Sequence, residues 1–146
     1  MSIAVRSTQT VWEGALATGA GTLGNGSSGA LDGFAVTWAA RTEQPGGKTS
    51  PEELAAAAHS SCFAMALSLK LGENNTPPQR VEVTATVTLD AVDGVPTITT
   101  SDLTVRAQVP GLSAEDFATV VDAAAALCPV SRLFAGAQIN VQAELA

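Results

Sequence analysis

The stretch from Lys48 to Gly72, KTSPEELAAAAHSSCFAMALSLKLG, constrains the fold more than any other part of the chain. Its ends carry helix punctuation. Ser50 is a good N-cap, Pro51 suits a first helical position where a missing N–H costs nothing, and Glu53 follows Ser50 by three residues, as in a capping box. Lys70 falls in the last turn, and Gly72 fits the left-handed C′ position. Between these ends Ala55, Ala58, Cys62, Met65 and Leu69 recur at three- and four-residue steps. The spacing predicts one long helix with Cys62 on its buried stripe.

Burial bears directly on sulfur chemistry. The thiolate is the reactive form of cysteine, and apolar surroundings raise the thiol pKa. The helix dipole cannot offset this, because its influence fades within the first turn and Cys62 lies about 15 Å along the axis from Glu52. Either another group stabilises a Cys62 anion, or Cys62 is a small, inert core residue.

At 146 residues, with 46% hydrophobic and 14% charged, the chain suits a single globular domain over 1–146. A net charge of -7 with only seven Lys and Arg argues against nucleic acid or an anionic membrane as partner. Aromatics are few and Tyr is absent, which disfavours stacking on single strands. The start, MSIAVRSTQTV, lacks a basic region followed by an apolar run, and no apolar stretch is expected to reach the length of a membrane span. These features predict a cytoplasmic protein, where a cysteine pair is more often transient and redox-active than structural. Cys62 and Cys128 form no CxxC motif, and with one His they are too few for a typical zinc site, so no metal is expected.

Along the chain, residues 3–12 read as a strand, followed by a turn at Trp12–Gly14 and a second strand-like piece into Thr22. Residues 24–33 are loop, their glycines lacking the spacing of a phosphate loop. Phe34–Arg41 reads as a strand ending on an arginine, and 43–49 as a flexible approach to the helix. Val81–Leu89 alternates strictly, as a half-buried antiparallel strand does. Residues 90–96 form a turn, and Leu103, Val105, Ala107 and Val109 alternate in the next strand. Ser113 then caps a second helix with Asp116 at N3 and an apolar stripe of Phe117, Val120, Val121, Ala124 and Cys128. Pro129 cannot continue that helix but can start a short new one over 129–136, which leaves Cys128 at a helix junction beside free backbone N–H groups. Residues 139–145 close the chain as a strand. The order β-β-β-α-β-β-α-α-β predicts an α+β domain of antiparallel sheets wrapped around two cysteine-bearing helices. Helices that pack together put their stripes face to face, so the two cysteines could meet in the core or could be unrelated core residues.

The run GKTSPEELAAAAHSSCFAMALS, CPVS at 128–131, WEG at 12–14 and the order of elements resemble the OsmC/Ohr family of small thiol peroxidases over essentially the whole chain. HSSC around Cys62 is similar to the OsmC branch, since Ohr members usually carry Tyr where His59 stands. Ohr members also carry an arginine in the first hairpin, whereas LATGAGTLG here has none. The resemblance implies an intertwined homodimer and reduction of organic hydroperoxides, hydrogen peroxide less well. Cys62 would be the peroxidatic cysteine, forming a sulfenic acid, and Cys128 the resolving one, closing a disulfide that a dithiol such as a lipoylated protein reopens. No cofactor is implied.

Arg41 is the first choice for the cation a Cys62 thiolate needs, since Arg is permanently charged with donors in a fixed fork. Its alternative reading is a solvated strand end. Arg6, Arg80, Arg106 and Arg132 read as surface charges, with Arg132 in reserve. Glu52 matches the family's carboxylate that pairs with the arginine. His59, three residues before Cys62, is a possible acid or base but more often such a residue is packing. By local physics Cys128 is the lower-pKa thiol, whereas the resemblance gives the attack to Cys62. A non-catalytic redox-sensing or ligand-binding dimer on the same scaffold is the alternative function.

Overall fold

In the computed structural model, which describes residues 1–146, the chain divides into two units, 1–54 and 55–146. In the first, β1 (Gln9–Glu13) and β3 (Ala35–Val36) both pair antiparallel with β2 (Ala20–Gly24). Gly21 is fixed by close approach: a Cβ there would stand 2.7 Å from Val36 and 3.0 Å from the Trp12 ring.

Two differences from the sequence reading fall in this unit. The first strand starts at Gln9 rather than at residue 3. Phe34–Arg41 is not one strand: it pairs only at Ala35 and Val36, and Trp38–Thr42 then forms a short helix, α1. Thr37 makes the switch, its hydroxyl accepting from the Ala40 N–H at 3.1 Å as an N-cap. Arg41 therefore leaves the last turn of a helix, not the end of a strand. Only Gly21, Leu23 and Ala40 of this unit are buried.

The dominant helix, α2, runs Pro51–Glu73 from the first unit into the second. The Ser50 hydroxyl accepts from the Glu53 N–H at 3.1 Å. The Glu53 carboxylate accepts from the Thr49 hydroxyl, so only half of the capping box forms. At the other end the helix continues through Gly72, and Asn75 (φ 59) takes the left-handed position instead. Hydrogen bonds from Asn75 N–H to Gly72 O and from Thr76 N–H to Leu71 O close it as a Schellman motif.

The buried face of α2 is rotated from the expected one. His59, Phe63, Ala66, Leu67 and Leu71 are buried, while Met65 is 74% and Leu69 52% exposed. Both sets satisfy helical spacing; the set with Phe63, Leu67 and Leu71 buries more apolar surface. Cys62 lies on the edge of this face, half-buried against the core. By length and mean hydropathy (1.3) α2 would pass for a membrane span, contrary to the sequence expectation. Its packed face instead belongs to the core of the second unit.

The second unit holds a long hairpin of β4 (Arg80–Val92) and β5 (Val95–Gln108). Asp93 (φ 52) and Gly94 (φ 78) join them, as a two-residue type I′ turn requires. The strands thus extend through most of the expected 90–96 turn. Leu103, Val105 and Ala107 on β5 are buried as their alternation predicts. Ser113 caps α3 (Ala114–Leu127) by accepting from the Asp116 N–H, and Pro129 starts α4 (Pro129–Leu133). These two helices carry the chain back so that β6 (Gln138–Leu145) pairs parallel to β5. This sheet is therefore mixed, where antiparallel sheets alone are expected from the strand patterns. Phe63, Leu67 and Leu71 of α2, the inward residues of β5, and Phe117, Val121 and Ala124 of α3 form one cluster.

Phe63 is wholly buried in that cluster. Phe63→Ala is expected to lower unfolding free energy by about 3–5 kcal/mol in urea titration, and a loss below about 1 kcal/mol would remove it from the core.

Candidate active site

Pro129 sets the position of the second cysteine. Its ring disfavours an α conformation at the preceding residue, and Cys128 sits at φ -58, ψ 114 between α3 and α4. Cys128 is fully buried, and its sulfur lies 3.3 Å from that of Cys62 on α2. Both cysteines are free thiols in contact. A disulfide bond of about 2.05 Å lies one short movement away.

The environments of the two sulfurs differ. Burial pushes the Cys62 thiol up, and Cys128 pushes it further, against a hydrogen bond from the Val130 N–H. Burial would also raise Cys128. The hydroxyl and N–H of Ser131, the Cys62 thiol and the Val130 N–H outweigh that and hold it below the ordinary thiol value. The hydrogen between the sulfurs can sit on either one. The first proton is thus lost easily from the pair and the second with difficulty, as for any two acids in contact. The free N–H groups expected beside Cys128 are those of Val130 and Ser131.

His59 is fully buried, and burial lowers its pKa, which keeps the imidazole neutral. Nδ1 lies 2.6 Å from the Ser101 hydroxyl and Nε2 lies 2.8 Å from the Ser131 hydroxyl. The Phe134 ring meets the imidazole edge-on at 5.2 Å. Both ring nitrogens are engaged away from Cys62, its neighbour on the helix. Ser101 and Ser131 escaped the sequence reading because they lie 42 and 72 residues from His59. The only local signal is Ser131 following Cys128 by three residues, one turn along α4.

In the first unit Arg41 and Glu52 are brought together. Arg41 Nε donates to both carboxylate oxygens at 3.0 and 3.1 Å, and Nη2 donates at 2.6 Å. The guanidinium also lies 5.9 Å from the Trp38 ring centroid, within cation–π range. Arg6, Arg80, Arg106 and Arg132 are exposed, Arg80 pairing with Glu82 and Arg106 with Glu144. Trp12 and Phe34 are exposed, and Phe63 is core.

Residues 44–144 match the family model described as OsmC-like protein. The chain is 42% identical over 125 residues to Peroxiredoxin OsmC of Escherichia coli (strain K12), covering 86% of each. It is similar to the crystal structure of the organic hydroperoxide resistance protein OhrB of Bacillus subtilis, with TM-score 0.67, 28% identity, and coverage of 96% of this chain and 98% of that one. An OsmC-like protein from Mycoplasma pneumoniae shares the fold at TM-score 0.76 and 14% identity, over 99% of both chains.

The two thiols are expected to ionise in separate steps. Ultraviolet thiolate absorbance across pH should give one midpoint below and one above the ordinary thiol value, with the lower one kept in Cys62→Ser. Two midpoints at the ordinary value would mean that the sulfurs do not meet.

Proposed function

The chain belongs to the OsmC family and is a cysteine-based peroxidase; from that premise we propose that it reduces organic hydroperoxides, and hydrogen peroxide less well, through a Cys62 sulfenic acid and a Cys62–Cys128 disulfide. The observation that carries this route is the contact of a half-buried thiol with a fully buried one at 3.3 Å. Cys128 has the lower pKa but no exposed surface, so a peroxide cannot reach it. Access therefore gives the attack to Cys62, and the donors around Cys128 suit a resolving thiolate.

In the first step the Cys62 thiolate attacks the distal peroxide oxygen. The O–O bond breaks, the alkoxide takes a proton and leaves as alcohol, and Cys62 becomes Cys–SOH. Cys128 then displaces the hydroxyl, which leaves as water, and an S–S bond forms. A dithiol, such as a lipoylated protein, restores both thiols by exchange. No organic cofactor or metal takes part. Arg41, held in its orientation by Glu52, is the proposed cation for the Cys62 thiolate and the developing alkoxide. An apolar site would favour alkyl hydroperoxides by about 0.8 kcal/mol per buried CH₂.

The proposed working form is a cytoplasmic homodimer in which all 146 residues act as one OsmC-like domain. Supporting the dimer are the exposed Met65 and Leu69 on α2 and the exposure of every residue of β1, Val11 and Trp12 included.

Purified protein is expected to consume cumene hydroperoxide when a dithiol is supplied. Cys62→Ser should abolish turnover, and Arg41→Ala should lower kcat/KM by about 100-fold. No turnover in the wild type, with free thiols confirmed and both monothiol and lipoyl dithiol tried, would favour a sensing or binding role instead. For the dimer, Met65→Asp with Leu69→Asp should shift sedimentation from dimer to monomer; an unchanged dimer would exclude this face of α2 from the interface.

A further inference from the structure

Three residues far apart in sequence converge on Cys128. His59 comes from α2, Ser101 from β5 and Ser131 from α4, joined by contacts of 2.6 and 2.8 Å. Ser131 follows Cys128 by three residues, one turn along α4, and its hydroxyl is among the groups that hold the Cys128 thiol below its ordinary value. We propose that His59, acting through the Ser131 hydroxyl, is a positioning residue for Cys128, readying that sulfur to resolve the Cys62 sulfenic acid.

The available hydrogens set the direction of the network. A serine hydroxyl has one hydrogen, and a neutral imidazole has one N–H. If Ser131 aims its hydrogen at the Cys128 sulfur, its oxygen must accept from His59 Nε2–H. His59 Nδ1 is then a bare acceptor and takes the hydrogen of the Ser101 hydroxyl. Every group is used, and the chain has one direction, Ser101 to His59 to Ser131 to sulfur. The other tautomer would turn the Ser131 hydrogen toward Nε2 and away from the sulfur. Burial favours the neutral ring that this arrangement requires, and the Phe134 ring against its edge holds its plane. Among titratable groups, the Cys62 thiol alone also bonds Cys128 directly. With both nitrogens engaged, His59 serves the cysteine 69 residues away in sequence rather than the one three residues along its own helix.

The step assisted is balanced within the pair, and it rests on the peroxidase reading above. The Cys128 thiolate attacks the Cys62 sulfenic sulfur, the S–S bond forms as the S–O bond breaks, and hydroxide leaves with a proton from water's pool as water. Cys128 is oxidised by one electron equivalent and Cys62 is reduced by one.

Two measurements test the assignment separately from the peroxidase reading. In a Cys62→Ser background, the pH midpoint of the Cys128 ultraviolet thiolate absorbance should move up by about one pH unit on Ser131→Ala or His59→Leu, a tenfold loss of thiolate below the midpoint. His59→Gln, which keeps an N–H donor near the Nε2 position, should reverse most of that shift, as it would not for a merely structural histidine. With Cys62 present, one equivalent of cumene hydroperoxide should convert wild type to the disulfide, whereas in Ser131→Ala disulfide formation should lag behind hydroperoxide consumption and a dimedone adduct on Cys62 should accumulate. An unmoved thiolate midpoint in both variants, or no adduct in Ser131→Ala, would overturn the assignment. If wild type consumed no hydroperoxide, the peroxidase reading would fall, and the thiolate midpoint would still decide whether His59 acts on Cys128.

Discussion

Pro129 has no backbone N–H to donate, and its ring turns Cys128 out of the α conformation, so α3 stops at Leu127 and a new helix begins one residue later. The site depends on that break. An uninterrupted helix would use the N–H groups of Val130 and Ser131 in its own ladder. At the break they are first-turn donors outside the helical ladder, and they favour the Cys128 thiolate. A fully buried thiol, which desolvation alone would render inert, is thereby made the more acidic of two sulfurs in contact.

Legibility in the sequence follows the range of the forces involved. Local signals carried through: Ser50 and Ser113 cap α2 and α3, Pro129 starts α4, and the alternation in β4 and β5 places their core residues. The α3 stripe from Phe117 to Cys128 is buried as spaced. Where two local readings compete, tertiary packing decided. In α2 both candidate stripes have helical spacing, and the one with larger side chains won. In 34–41 a threonine read as a strand residue is an N-cap. At the end of α2, Asn75 took the left-handed position for which Gly72 looked better suited. The parallel pairing of β6 depends on where a two-helix crossover returns the chain, which no strand pattern encodes.

The candidate site divides in the same way. Both cysteines stand on recognisable stripes or junctions, and the resemblance to a known family supplied their pairing before any distance did. Arg41 and Glu52 are eleven residues apart, and their paired hydrogen bonds follow from two short segments. The partners of His59 could not be read, because a buried hydroxyl looks in sequence like any other serine.

His59 also has a consequence for the uniqueness of the fold. The first half of α2 carries four alanines in a row, Ala55 to Ala58, so apolar packing there distinguishes one rotation of the helix about its axis from the next less sharply than Phe63, Leu67 and Leu71 do further along. The imidazole does distinguish them. Turning α2 by one residue, about 100°, would carry the ring away from both hydroxyls and leave the imidazole and the Ser101 hydroxyl buried without partners. At about 1–3 kcal/mol for each unsatisfied group, that penalty is comparable to much of a domain's net stability. A single polar side chain thus acts as a key that reinforces the angular setting of the helix where its side chains are smallest, and with it the direction in which Cys62 points.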